Sequence, residues 1–246
     1  MCAINGFNFS DVRLIRAMND AARHRGPDGD GEFLHDRMTL GHNRLSIIDL
    51  SPAGAQPMKS ADEKRTIVFS GEIYNYRELK GELRGTYPFR TESDTEVILA
   101  AYEKWGEECL ARFNGIFAFA VWDTEKNELF LARDRVGVKP LYYFWDGTRF
   151  IFSSEIKAIL CHDIPRLADR AAANLYFQVL YVPAPHTMFE GVRKVLPAHF
   201  LRLKDGRLED KEYWRPDDFE NFKSRGEAKE RIRELFHDSV RHQLIS

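Results

Sequence analysis

GIFAFAVWDTEKNELFLARDRVGVKPLYYFWDGTRFIF, residues 115–152, reads as a meander of strands. Its apolar runs are Ile116–Trp122, Glu128–Ala132, Leu141–Trp145 and Arg149–Phe152, with Glu125-Lys126-Asn127, Gly137 and Asp146-Gly147 as turn signals between them. Upstream, residues 2–9 read as a strand. Ser10 and Asp11 then open a helical pattern carried by Leu14, Ile15, Met18, Ala21 and Ala22. Gly26-Pro27 predicts its end near Arg23. Residues 31–35 and 38–50 read as two strands and 51–63 as a loop. Thr66 to Phe69 reads as a strand closed by Ser70-Gly71, and Tyr76 to Arg84 as a short helix. Ser93-Asp94-Thr95-Glu96 has capping-box spacing before the apolar run Val97–Tyr102, which predicts a helix over Asp94–Trp105.

Downstream, residues 155–160 and 168–180 read as helices. Ala198–Leu203 and Leu208–Tyr213 read as strands joined at Asp205-Gly206. Residues 214–226 have linker composition, with Pro216 and Gly226. Ala228, Ile232, Leu235, Phe236, Val240 and Leu244 then mark one face of an amphipathic helix running to Ser246. An apolar stripe there needs a partner, and the expectation is that a second domain begins at this point.

With 246 residues the chain is long enough for one large domain or two small ones. Lys plus Arg total 36 against 38 Asp plus Glu, a formal net charge of −2, which argues against a dedicated nucleic-acid binder. The longest strongly apolar run, Ile116 to Trp122, is far short of the ~18–20 residues that span a bilayer, so no membrane partner is expected. The N-terminal segment lacks the basic and apolar regions of a signal peptide. Cys2, Cys109 and Cys161 have no paired spacing, so neither a disulfide framework nor a metal site is expected, and a reduced, cytoplasmic setting follows.

Five clusters offer chemistry. Cys2, if Met1 is removed, carries a thiol and a free α-amine on one residue, a nucleophile with its own base. The plainer reading is an incidental cysteine. His24-Arg25-Gly26-Pro27-Asp28-Gly29 is a tight loop or simply a turn after a helix. Arg44, on a strand before the Gly/Pro loop Ser51–Met58, could clamp a carboxylate with two parallel hydrogen bonds, or lie on an edge strand as a surface cation. A strand ending at Gly71, in Phe69-Ser70-Gly71-Glu72, would leave N–H groups free for an oxyanion, or make an ordinary turn. Asp94 favours a helix start through the dipole and could also hold a substrate ammonium.

Taken together and in this order, these segments resemble the glutamine-hydrolysing domain of asparagine synthetases, a class II (N-terminal nucleophile) glutamine amidotransferase. The match rests on Cys2, HRGPDG at 24–29, RLSIIDLSPAGAQPM at 44–58, SGEIYNYREL at 70–79 and SDTEV at 93–97. It continues through FNGIFAFAVWD at 113–123, RDRVGVKPLYY at 133–143 and YVPAPHTMFEGVRKVLPAH at 181–199. The resemblance implies an α+β fold, a four-layer αββα sandwich of two stacked antiparallel sheets. It implies an amidotransferase domain over 2–190, with connecting strands, linker and the start of a synthetase domain over 191–246. It also implies hydrolysis of L-glutamine to glutamate and ammonia. Ammonia would pass to a C-terminal domain that amidates aspartate with ATP and Mg²⁺. Those cofactors belong to that domain and none is expected in this chain; a homodimer is compatible with the family.

Residue by residue, the resemblance makes Cys2 the nucleophile and Arg44 the clamp on the substrate α-carboxylate. Leu45, Ser46, Ile47 and Ile48 line the same pocket. Gly71 N–H supplies part of the oxyanion hole, and Glu72 and Asp94 hold the α-ammonium side. Two positions depart from the family: Ser70 stands where an asparagine usually donates to the oxyanion, and Ala3 where a glycine usually follows the nucleophile. Those departures support a second expectation, a catalytically weak amidotransferase-like module of a related carboxylate-amidating or cyclising enzyme.

Overall fold

The computed structural model describes residues 1–216 and 221–244. The chain runs through β1 (Ala3–Phe7), α1 (Val12–Ala22), β2 (Gly29–His35), β3 (Met38–Arg44), β4 (Met58–Lys59) and β5 (Arg65–Ile73). It continues with α2 (Tyr76–Leu83), α3 (Asp94–Trp105), α4 (Cys109–Arg112), β6 (Gly115–Asp123), β7 (Glu128–Arg133), β8 (Tyr142–Trp145) and β9 (Phe150–Ser153). Then come α5 (Ile156–Ile159), α6 (Arg170–Val179), β10 (Val192–Lys194), β11 (His199–Lys204), β12 (Arg207–Glu212) and α7 (Arg225–Gln243).

The strands form two six-stranded sheets, in the orders β10-β8-β9-β1-β3-β2 and β12-β11-β7-β6-β5-β4. Every pairing between these strands is antiparallel. Alternation along β6 shows how the layers arise. Ala118, Ala120 and Trp122 face the core between the sheets, with Ile4, Leu40 and Phe152 from the other sheet. Phe117, Phe119 and Val121 face the opposite way, onto Leu79, Leu83, Ile98 and Tyr102 of α2 and α3. On the far side, Phe7 and Ile151 pack against Ile15 and Met18 of α1 and Ile159 of α5. The result is the expected αββα sandwich.

Three details of the strand reading change. Residues 115–152 are not one meander: β6 and β7 belong to one sheet, β8 and β9 to the other. The crossing is made by the turn after β7. Asp134 accepts the N–H groups of Phe117, Val136, Val138 and Lys139, and the Arg133 guanidinium donates to the carbonyls of Gly137, Lys139 and Val195. The strand expected over 38–50 ends at Arg44, because side chains draw the next residues out of the sheet: Ser46 N–H donates to Asp28 Oδ2 and the Arg44 guanidinium to the carbonyls of Asp49 and Ser51. Conversely, β5 does not close at Gly71 but pairs with β6 as far as Ile73.

Residues 191–213, grouped with the linker in the sequence, add β10 to one sheet and β11 and β12 to the other. The β11–β12 hairpin turns at Asp205-Gly206, both with positive φ. Within the linker, residues 217–220 lie outside the described residues, as do 245 and 246, the end of the helix expected to run to Ser246. The apolar stripe of α7 is solvent-exposed, Ile232 at 65% and Phe236 at 67%. Among the described residues no helix is long and apolar enough to cross a membrane.

Candidate active site

The site lies where β1 begins, β3 ends and β5 passes the N-terminus of α3. Its centre is Cys2. The thiol lies 3.5 Å from the Leu45 carbonyl oxygen and receives the Leu45 N–H at 3.3 Å. Burial raises the thiol above its ordinary value, while the Leu45 N–H works the other way. The Cys2 carbonyl is held twice, by Ser70 Oγ at 2.9 Å and by Arg25 Nε at 3.1 Å. Arg25 is in turn steadied by Glu155 at 3.4 Å. Gly26 lets this turn lie against β3, since a Cβ there would meet the Asn43 carbonyl oxygen at 2.4 Å.

The donor expected at Gly71 is present for a different reason from a strand end. Both backbone groups of Phe117, opposite Gly71, are taken by Asp134: Phe117 N–H donates to Oδ2, and the Phe117 carbonyl accepts from Asp134 N–H. Phe117 therefore faces β7, and Gly71 faces away from β6. Its neighbours on the same side have partners: Phe69 N–H donates to Gln56 Oε1 at 2.6 Å and Ile73 N–H to Asp94 Oδ2 at 3.0 Å. The Gly71 N–H lies between them, toward the cleft. Only glycine fits, because a Cβ at 71 would meet the Ile116 carbonyl oxygen at 2.2 Å.

Asp94 is the first residue of α3, and Ser93 caps the helix by accepting from Thr95 N–H at 3.2 Å. Glu96 reaches past the cap to the N–H groups of Arg90 and Thr91. Asp94 is 4% exposed. Burial, with Glu72 nearby, pushes its carboxyl up to about 7, against the N–H groups of Ile73 and Thr95. At the end of β3, Arg44 spends two donors on the carbonyls of Asp49 and Ser51, so the loop it clamps becomes part of the pocket.

The resulting cleft has a volume of about 100 Å³ and is open to solvent. It brings together Cys2, Arg44, Leu45, Ser46, Ile47, Ile48, Gly71, Glu72 and Asp94. Ser70 is not on its wall; the side chain sits behind Cys2. Gln56, Lys139 and Met1 line the cleft as well, and Arg25 supports it from behind. Its lining thus offers a guanidinium, carboxylates, a thiol and a backbone donor, the complement of an amino acid zwitterion with a reactive side chain.

Residues 1–214 match the family model for the glutamine amidotransferase domain. The chain belongs to this family, as a class II glutamine amidotransferase domain. This amidotransferase domain is 38% identical over 257 aligned positions to asparagine synthetase [glutamine-hydrolyzing] 3 of Bacillus subtilis (strain 168), covering 100% of this chain and 42% of that protein. It is 35% identical over 249 positions to amidase chry2 of Gibberella zeae (strain ATCC MYA-4620 / CBS 123657 / FGSC 9075 / NRRL 31084 / PH-1), covering 98% and 36%. The chain therefore spans less than half the length of these relatives. Among solved structures it resembles the glutamine phosphoribosylpyrophosphate amidotransferase of B. subtilis, with a TM-score of 0.63 and 18% identity over 87% of this chain and 49% of that one. That likeness concerns the fold.

Proposed function

We propose that this domain hydrolyses L-glutamine to glutamate and ammonia through a thioester on Cys2, once Met1 has been removed. The observation that carries this is the cleft itself, whose lining brings together the Cys2 thiol, Arg44, Asp94, Glu72 and Gly71. Arg44 would take the substrate α-carboxylate, and Asp94 with Glu72 the α-ammonium. The Cys2 thiol passes its proton to the Cys2 α-amine and its sulfur attacks the side-chain amide carbon. Gly71 N–H takes the oxyanion charge. The α-amine returns the proton to the departing ammonia, and water then cleaves the thioester to glutamate.

Ammonia would pass to an ATP- and Mg²⁺-dependent amidating domain outside this chain. Among the described residues, no group of three or more His, Cys, Asp or Glu is set to hold a metal ion. Aspartate is the acceptor that the asparagine synthetase relatives favour. The three free thiols suit a reducing, cytoplasmic setting.

The test is glutamate release from L-glutamine by the chain, its N-terminal residue established by intact mass, with Cys2→Ala as control. Release lost in the control supports the reading; release unchanged in the control sinks it. A second reading, a weak module that mainly packs against its synthetase domain, is favoured by Ser70, whose hydroxyl is spent on the Cys2 carbonyl. Chains shown by mass to begin at Cys2 that release no glutamate would support it.

A further inference from the structure

Lys139 is an unexplained buried cation beside the nucleophile. Its backbone is fixed on both sides, Lys139 N–H to Asp134 Oδ2 at 3.0 Å and Arg133 Nε to the Lys139 carbonyl at 2.7 Å. The residue is 7% exposed, and its Nζ lies 3.3 Å from Met1 Sδ, a weak acceptor. Among the described residues, no ion pair to it is found within 4.0 Å. Burial opposes its charge and Glu72 favours it, so its place in the cleft wall with Cys2 calls for a reason. The charged groups around it are Cys2, Glu72, Arg25 and Asp134, and burial itself lowers its proton affinity.

We propose that Lys139 is a positioning residue that acts by its charge, holding the α-amine of an N-terminal Cys2 in its neutral, proton-accepting form and drawing the Cys2 thiol toward thiolate. The inference rests on the glutamine-hydrolysis reading above. In that reaction the S–H proton moves to the α-amine, the C–S bond forms as the C–N bond breaks, and the same proton leaves with ammonia. An α-amine already protonated cannot begin the sequence. A neighbouring ammonium repels the protonated amine and lowers its pKa, and it stabilises the thiolate for the same reason. Arg25, on the Cys2 carbonyl, acts in the same sense, while Asp94 opposes it at the thiol. Met1 Sδ is the contact that Lys139 Nζ would lose on Met1 removal.

The experiment uses chain whose N-terminus is shown by intact mass to be Cys2, in wild-type, Lys139→Met and Lys139→Arg forms. It follows the pH dependence of glutamine kcat/KM and, separately, of Cys2 alkylation by iodoacetamide, read on the Cys2 peptide. In Lys139→Met the acid-side midpoint of both profiles is expected to rise by ~1 pH unit, with alkylation near pH 7 slowed roughly tenfold. Lys139→Arg, always charged, is expected to stay within about threefold of wild type. An unmoved midpoint in Lys139→Met overturns the proposal, as does an arginine variant that behaves like the methionine one. If Lys139→Met does not fold, as judged by its melting transition, Lys139→Gln is read against the same two outcomes. An alkylation shift in Lys139→Met, with wild-type chain that releases no glutamate, would keep the role of Lys139 and remove the glutamine reading.

Discussion

Ser70 Oγ donates to the Cys2 carbonyl oxygen at 2.9 Å, from a side chain that is 1% exposed. A hydroxyl has one proton to give, and here it steadies the nucleophile's backbone, not the cleft. The oxyanion seat therefore depends on the Gly71 N–H, and a longer side chain with an amide has a second donor to offer. Ser70→Asn is expected to raise kcat by at least about tenfold, since single oxyanion donors are worth ~10²–10³ in rate, with KM little changed. Ser70→Ala is expected to lower kcat, and to lower stability by about 1 kcal/mol, because Arg25 alone then holds the Cys2 carbonyl. Steady-state glutaminase kinetics and melting curves check both. An unchanged kcat in Ser70→Asn would show that no donor is missing.

Asp94 makes glutamine binding depend on pH. In the free protein its carboxyl is pushed up to about 7, so below that pH Asp94 offers the ammonium no charge. A bound α-ammonium favours the ionised form, and binding below pH 7 must release a proton. Affinity should rise about tenfold per pH unit between pH 5 and 7 and level off above. Calorimetry on Cys2→Ala in two buffers of different ionisation enthalpy reads the released proton directly. For stability the sign is the reverse. A carboxyl whose folded value lies above its unfolded 3.8 holds its proton more tightly when folded, so its contribution is lost as pH rises from about 4 through 7. Asp94→Asn should flatten that part of the stability curve and raise KM by roughly a hundredfold or more, as expected for loss of a charged partner.

How far the site was legible follows from where its parts sit. Cys2, Arg44 and Asp94 stand inside short local patterns: a second-position cysteine, an arginine before a Gly/Pro loop, and a carboxylate in a cap motif. Gly71 was legible as a donor, but not as a residue inside a continuing strand, because its availability is set by Asp134 occupying both groups of Phe117. The contacts of Ser70 with Cys2 and of Lys139 with Met1 join segments far apart in sequence, and no local spacing encodes them. The sandwich core shows as period-two alternation in β6, whereas the β7-to-β8 crossing was hidden. Two successive hairpins read alike whether or not they share a sheet; only the Arg133 and Asp134 side chains decide it.

His42 sets an acid limit. It is fully buried on β3, with Nε2 3.1 Å from the Phe69 carbonyl oxygen and, among the described residues, no partner for Nδ1. Burial lowers its value to about 4. The unfolded chain gains this proton near pH 6.5, the folded chain only near 4. Stability is therefore lost as pH falls through that window, by about 1.4 kcal/mol per pH unit for this group. His162, also lowered to about 4 by burial, acts in the same direction. Melting temperatures of wild type and His42→Gln between pH 7 and 4 are expected to converge as the pH falls. Parallel curves would mean that His42 is not held neutral.

Gln56 ties the loop after Arg44 to β5 and α3. Its Oε1 accepts the Phe69 N–H at 2.6 Å and its Nε2 donates to Thr95 Oγ1 at 3.2 Å, so one amide links β5 to the first turn of α3, where Asp94 sits. Gln56→Ala strands the Phe69 N–H and frees the helix terminus. An unsatisfied donor costs about 1–3 kcal/mol, and the Arg44-to-Asp94 span that reads the zwitterion loses its brace. KM for glutamine is expected to rise about tenfold while kcat falls less, because the Cys2 and Gly71 groups are held by other bonds. Gln56→Glu keeps the acceptor and loses the donor, and adds an anion to the wall that carries Asp94. It should restore most of the stability but push the Asp94 midpoint higher, which the pH dependence of KM would register. If both variants bind glutamine as the wild type does, the spacing of Arg44 and Asp94 is set elsewhere, by the β5–β6 pairing and the Ile73 N–H bond to Asp94.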